Sequence, residues 1–472
     1  MNSSTPTALA LSTPQTPFTL PIGEAVFVGE NILRHLPGKR LVAAGRWKDR
    51  EVVAKIYFDP SRHAIHAARE IRGVEAMTKA GVLTPPLLHQ TQQATLSVLL
   101  FGRIHPAESG MQRWESADTH AEGLETLRVL VTAVAAHHEA GLLQEDLHLD
   151  NFLFSNEGLY TLDGGGIQID KAPLAQEKAL NNLALFFAQL QPRYDFMVEA
   201  LYAHYAQQRK IETDLPRLRE RIAKRRAERK KEFLDKAFRR CSAFETSKDR
   251  RHFAVWDRRY DSPALHSMMQ DPDALMRQGQ ILKDGNTSTV ASVEVDGKQL
   301  LIKRYNLKNP LHALNRAFRE TRASISWCNA HRLVFYGIAT PQPVALIEKR
   351  LGPIRRVSYF VCEYIAADNA ATYLRSETVP DTSKRKVIEN ICVLFGQMRD
   401  VRIAHGDTKA HNFLVLEEVP YLIDLDAMRE YKSPRKAAHA QLQDIKRFLQ
   451  SWKKHPDLAM QFEACVHSKE YP

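Results

Sequence analysis

The chain has 472 residues, 44% hydrophobic and 26% charged, with a net charge of +11. That length suits two or three compact units with cores of their own and excludes a disordered or fibrous chain. No run of about 18 apolar residues occurs, so no helical membrane span is expected. The five scattered cysteines form no C-x-x-C pair, which argues against a disulfide framework or zinc site and for a reducing cytoplasm.

In chain order, residues 1–21 are rich in Ser, Thr and Pro, contain no Lys or Arg, and read as a disordered leader rather than a signal peptide. Alternation then predicts strands at Arg40–Trp47 and Glu51–Tyr57 about a polar turn, with Lys55 in the second. A helix beyond carries Glu70, with Glu75 as an alternative partner for that Lys. Leu127, Leu130, Val131 and Val134 share one helical face, and Gly141 suits the C-cap. A loop follows with Asp146, with Asn151 five residues on and Asp163 twelve beyond that.

From Arg209 to Arg240 the net charge is +8, so one basic helix creates most of the excess. Such an element suits an anionic membrane surface or a phosphorylated glycan, or else is a solvated helix closing the first half. No aromatic residues interleave its Lys/Arg run, which speaks against nucleic acid. Residues 22–240 are taken as a first domain, 241–276 as an irregular linker, and 277–472 as a second domain.

In the second half, Gly285, Ser288 and Thr289 lie in a strand–turn–strand whose backbone N–H groups suit a phosphate. Strands at Val290–Val295 and Gln299–Tyr305 carry Lys303, and Glu320 follows as its candidate helix partner. Val361–Ile365, with Glu363, is the best match to an adenine-binding hinge. After a helix on Ile388, Ile391, Cys392, Phe395 and Met398 come Asp407, Lys409, Asn412 and Asp424. The two halves repeat: Asp146, Asn151 and Asp163 recur as Asp407, Asn412 and Asp424 at a constant offset of 261, and Lys55 recurs as Lys303 at 248.

A strand Lys, an Asp followed by an Asn five residues on, and a later Asp resemble the protein-kinase-like superfamily. The expected fold is α+β, two tandem protein-kinase-like bilobal domains, each with a small β-rich N-lobe and a minimal helical C-lobe. The resemblance implies ATP and Mg²⁺ as cofactors. Lys303 and Lys55 would meet the α/β-phosphates, and Asp424, Asn412, Asp163 and Asn151 would ligate the metal. Asp407 and Asp146 would orient the acceptor hydroxyl and take its proton, with Lys409 near the γ-phosphate.

The second half keeps His405-Gly406-Asp407, similar to small-molecule kinases. The first has Gln144-Glu145-Asp146, His148 in place of Lys409, and Asp-Gly-Gly in place of Asp-Leu-Asp, so the second is expected to be catalytic and the first either an active kinase or a nucleotide-binding or regulatory relic. No A-P-E segment occurs, and only 48 residues follow Asp424, which disfavours protein acceptors.

Leu301-Ile-Lys303-Arg-Tyr, Ser326-Trp-Cys-Asn-Ala-His331, Gly337-Ile-Ala-Thr-Pro341-Gln-Pro343 and His405-Gly-Asp-Thr-Lys-Ala-His-Asn412 resemble the lipopolysaccharide kinase family of Gram-negative bacteria. The resemblance implies phosphorylation of inner-core sugars, notably heptose, at the cytoplasmic face of the inner membrane. The partner is then a lipopolysaccharide core oligosaccharide or lipid-linked glycan. An atypical compact Ser/Thr protein kinase and a pseudokinase scaffold are the rival readings.

Overall fold

The computed structural model describes residues 2–3, 6–11, 14–306, 320–352 and 354–467. The chain divides into unit 1, Met1–Leu190 with Tyr194–Arg226, and unit 2, Gln191–Arg193 with Ala227–Pro472. Each is considered by itself.

Unit 1 opens on a seven-stranded sheet. Five of its strands run, in spatial order, Leu87–Gln92, Ser97–Gly102, Arg50–Tyr57, Arg40–Trp47 and Ala25–Leu36. Alternation buries Val52, Ala54 and Ile56 on one face of the central strand, and Lys55 points the other way. Phe18–Ile22 extends the sheet beyond Ala25–Leu36. The expectation of a disordered leader fails there: Leu9 on α1 (Pro6–Leu11), Phe18, Leu20 and Ile22 join the core against Leu41 and Val98. Apolar residues at alternate positions of a short strand outweigh the Ser/Thr/Pro composition around them. Residues 1, 4, 5, 12 and 13 of the leader lie outside the described residues.

Beyond the sheet, α2 (His63–Lys79) carries Glu70, and α3 (His120–Glu139) buries Leu127, Leu130, Val131 and Val134 as its spacing predicts. Thr119 caps α3 by accepting from the Glu122 N–H. α4 (Gln176–Phe187) and α5 (Val198–Arg209) pack on that face through Leu183, Phe187, Leu201 and Tyr205.

Unit 2 repeats the five-strand order with Pro343–Leu351, Ile354–Glu363, Lys298–Tyr305, Ser288–Val295 and Gln280–Asp284. Its two additional strands, Phe244–Lys248 and His252–Asp257, sit at the opposite edge from those of unit 1. Residues 241–276, expected as an irregular linker, therefore belong to the unit 2 sheet and two short helices. Val255 and Trp256 supply a buried strand that Pro263 and Pro272 had obscured; each proline starts a helix.

The unit boundary falls within the basic helix, α6 (Leu215–Lys236), which buries Leu218 and Ile222. Most of its cations are engaged within the chain. Arg217 and Arg221 pair with Glu177, Arg226 with Asp195, and Lys230 with Glu430.

The helical part of unit 2 comprises α7 (Arg322–Tyr336), α8 (Asp381–Asp400), α9 (Pro434–Gln450) and α10 (Pro456–His467), packed around Trp327, Phe395, Phe448 and Trp452. Cys392 on α8 and Cys465 on α10 are joined in a disulfide, against the expectation that all thiols stay reduced. Their separation of 73 residues hides the pair in sequence, and the packing of two C-terminal helices brings them together. Cys241, Cys328 and Cys362 are free thiols.

Candidate active site

In unit 1 the sheet, α2 and the loop after α3 meet at Lys55. Its ammonium lies 2.5 Å from Glu70 Oε1 and 3.3 Å from Asp163 Oδ1. The other Glu70 oxygen accepts from the Gly165 N–H at 3.0 Å and the Tyr57 hydroxyl at 3.3 Å. Glu70 is buried, and each of its oxygens has a donor, as a buried carboxylate requires. Burial works to raise the Asp163 carboxyl, but the cations Lys55 and Arg40 outweigh it and the group is held below its ordinary range. Asn151 donates to the Asp146 carbonyl at 2.6 Å, and the Leu162 N–H donates to the Asn151 carbonyl at 2.7 Å. The loop bearing Asp146 is thereby tied to the segment that leads from the strand Gly158–Thr161 to Asp163.

Unit 2 builds the same frame. Lys303 pairs with Asp424 across 121 residues of chain. Burial tends to raise Asp424, but the adjacent Lys303 dominates and its carboxyl is held down at about 2. Asn412 donates to the Asp407 carbonyl at 2.7 Å and to Asp407 Oδ2 at 3.3 Å, while the Ile423 N–H binds the Asn412 carbonyl at 3.0 Å. Lys409 Nζ lies 3.3 Å from Asp407 Oδ1. Asp163 and Asp424 hold left-handed backbone at φ 63° and 64°, a conformation rare outside glycine that clusters at functional sites.

The turn singled out in the sequence, Gly285–Thr289, closes the hairpin of Gln280–Asp284 and Ser288–Val295, and Val290 of its second strand lies opposite Lys303 on the next strand. Gly285 N–H donates to the Ser288 carbonyl at 3.2 Å, Thr289 Oγ1 to Asp284 Oδ1 at 3.1 Å, and Asn306 Nδ2 to the Gly285 carbonyl at 2.9 Å. Ser288 is buried. Glu363 ends the strand Ile354–Glu363, and its side chain accepts from the Tyr260 hydroxyl at 2.6 Å.

Glu320 is not the partner of Lys303. It is exposed and precedes Thr321, the N-cap of α7, so it lies outside the helix altogether. The helix registers explain this. Gly81 and Gly337, both at positive φ, end α2 and α7 with equivalent bonds, Val82 N–H to Met77 O and Ile338 N–H to Leu333 O. Eleven residues back from each lie Glu70 and Ser326. Tyr57 donates to Glu70, and Tyr305, its counterpart, shares a 2.7 Å hydrogen bond with Ser326.

Where unit 1 has Gly165 bound by Glu70, unit 2 has Asp426 paired with Arg322 of α7. The carboxylate that the helix supplies in unit 1 is supplied by the loop in unit 2. Asp426 is pushed up by burial and by the neighbouring Asp424.

Further residues escaped the sequence reading. Asp444 of α9, buried, accepts from the His405 N–H at 2.6 Å and the Gly406 N–H at 2.9 Å, which fixes the loop carrying Asp407. Arg447, one helical turn on, donates to the Gly406 carbonyl and sits 3.4 Å from Asp407 Oδ1. A buried Asp in an otherwise amphipathic helix was the available signal for Asp444.

A strand lysine held by a carboxylate on a left-handed turn, beside an Asp–Asn loop, defines a phosphotransferase of the kinase type. Residues 273–463 match the model of the Lipopolysaccharide kinase (Kdo/WaaP) family. No curated protein matches the chain. Among solved structures, one similar chain is "Crystal structure of BubR1 kinase domain", with 15% identity over 34% of this chain and a TM-score of 0.27. The match spans 53% of that domain, about half its length. Among the described residues no helix is long and apolar enough to cross a membrane.

Proposed function

We propose that the chain transfers phosphate from ATP to a sugar hydroxyl of the lipopolysaccharide inner core, heptose being the acceptor, and that unit 2 performs the reaction. On this reading unit 1 is a second kinase-like unit, and the acceptor is met at the cytoplasmic face of the inner membrane. The observation carrying the proposal is the Lys303–Asp424 pair beside the Asp407–Asn412 loop, within residues matching the lipopolysaccharide kinase family.

The donor set fits Mg-ATP. Two carboxylates and an amide oxygen are hard donors of the kind Mg²⁺ takes while completing its shell with phosphate and water. Asp424, Asn412 and Asp426 would hold the metal, and Lys303 with the Gly285–Thr289 turn would hold the phosphates. Bound there, Mg-ATP supplies the phosphoryl group and the cation that offsets its developing charge.

The chain's own part is positional. Asp407, oriented by Asn412, accepts a hydrogen bond from the acceptor hydroxyl and takes its proton, and Asp444 holds the backbone of that loop still. Lys409 offers a cation beside it. In unit 1, Gly165 and His148 replace Asp426 and Lys409, so Asp163 is left as the single turn carboxylate and a histidine stands where unit 2 has a lysine.

The test is phosphate transfer from Mg-ATP to extracted core oligosaccharide by wild type, Asp407→Ala and Asp146→Ala, followed by mass spectrometry of the product. Loss of at least ~100-fold in Asp407→Ala, the scale of removing a general base, with transfer kept in Asp146→Ala, supports the assignment. Equal turnover in both variants at retained fold would refute it.

A further inference from the structure

The sequence points to α6 as the element for an anionic partner, yet most of its cations are paired within the chain. The free positive charge lies elsewhere. Residues 431–456 contain seven Lys or Arg and a single acid, Asp444, which is buried against the Asp407 loop. On α9 the buried positions Ala437, Asp444 and Phe448 define the inner face. At 100° per residue, Lys436, His439, Lys446 and Arg447 fall within an arc of about 100° on the outer side.

All four are exposed. Lys453 and Lys454, also exposed, continue the charge past the helix end. Among the described residues only Arg447 of these six forms an ion pair, and its partner is Asp407. From Lys436 to Arg447 the face runs about 16 Å, at 1.5 Å per residue.

Arg447 joins this face to the chemistry. A neutral hydroxyl brought to Asp407 needs a proton acceptor and no further cation, and Lys409 already stands on the same loop. A second cation, a guanidinium contributed by another element and leading into an unpaired basic face, suits an acceptor that carries charge of its own.

We infer that the outer face of α9, beginning at Arg447 beside Asp407, is the subsite for an anionic acceptor, a glycan bearing phosphate or carboxylate groups next to the hydroxyl to be modified. This rests on the core-sugar kinase reading for the identity of the glycan, but not for the existence of the subsite. Arg447 is a specificity-determining residue that reaches the acceptor's charge, and Lys436 and Lys446 extend the contact along the chain of sugars. Affinity then falls steeply with salt, as it does wherever clustered cations bind a polyanion.

The experiment titrates the full chain with four probes: core oligosaccharide as isolated, the same oligosaccharide with its phosphates hydrolysed, inositol hexakisphosphate as a plain polyanion, and anionic phospholipid vesicles. Wild type is compared with Lys436→Gln/Lys446→Gln/Arg447→Gln and with Arg447→Lys, after matched thermal melts.

The expected result is binding of the phosphorylated oligosaccharide at least 10-fold weaker in the triple variant, with a shallower salt dependence. The hydrolysed oligosaccharide should be affected less, and Arg447→Lys should recover part of the loss. In turnover the triple variant raises KM for the acceptor and leaves KM for ATP unchanged. Equal binding of the phosphorylated oligosaccharide by triple variant and wild type overturns the inference. So does a loss seen only with anionic phospholipid vesicles, which would make α9 a membrane face. If wild type binds inositol hexakisphosphate through α9 but ignores core oligosaccharide, the subsite stands and the core-sugar reading falls. Binding of neither inositol hexakisphosphate nor core oligosaccharide removes the subsite.

Discussion

Asp163 and Asp424 show how much one side chain organises in this protein. Each sits in left-handed backbone at a cost of about 1–3 kcal/mol, and each is held there by a lysine from the sheet. Asp424→Asn should therefore act twice. Removing the carboxylate leaves Lys303 without its counter-charge, and the stability loss should fall below the ~3–5 kcal/mol of a fully buried pair, because 30% of the Asp424 side chain is exposed. The same change should abolish the rise in melting temperature that Mg-ATP gives wild type. A variant still stabilised by Mg-ATP would show that Asp424 does not hold the metal. Lys303→Met should leave acceptor binding intact while raising KM for ATP, read from initial rates at varied nucleotide.

At the level of elements, α2 and α7 are the same helix used in two ways. Gly73 of α2 lies against Gly164, where any Cβ would meet the Gly164 carbonyl oxygen, and this close approach lets Glu70 reach Lys55. At the equivalent place in α7, Asn329 donates to the Leu425 and Met428 carbonyls at 2.8 and 2.9 Å, a polar spacer in place of the close contact. Gly73→Ala should push α2 away from the loop and destabilise unit 1 by roughly 1–3 kcal/mol, seen in denaturant unfolding. Trp327 of α7 is wholly buried, stacks edge-on with His331 and Phe244, and donates to the Ala237 carbonyl at 2.9 Å. Trp327→Ala should cost unit 2 about 3–5 kcal/mol, whereas Ser326→Ala beside it, losing one hydroxyl contact, should cost no more than about 1.5 kcal/mol.

Over the whole molecule, buried histidines set the response to acid. Burial pushes His137 down to about 4, and His138 and His331 down to about 3. His138 is held neutral between Tyr205 and Asn182, at 2.7 and 3.0 Å. Unfolded imidazoles take protons near pH 6.5 while the folded ones do not, so the unfolded chain binds more protons below that pH. Stability is complete above about pH 6.5 and falls as the pH drops toward 4 and 3. By pH 5 each histidine should remove about 2 kcal/mol relative to pH 7. Chemical denaturation at pH 7 and pH 5 measures this, with His331→Phe expected to reduce the loss in unit 2. A stability independent of pH between 7 and 5 would contradict the neutral burial of these groups.

Much of the site was legible in the chain itself. Lys55, Lys303 and the two Asp–Asn–Asp series were found because a short loop between two strands keeps its internal spacing through divergence, and the constant offset of 261 records that. The five-strand order of each sheet was partly legible through alternating burial. The partner of Lys303, the ion pairs that occupy α6, the Cys392–Cys465 bond and the hold of Asp444 on His405 and Gly406 were decided only by tertiary structure. Each joins residues on separate elements, and helix register cannot be counted from sequence until its caps are known. An exposed cation and a paired one have the same letter. Only packing tells that α6 has its acids beside it while α9 faces outward without them.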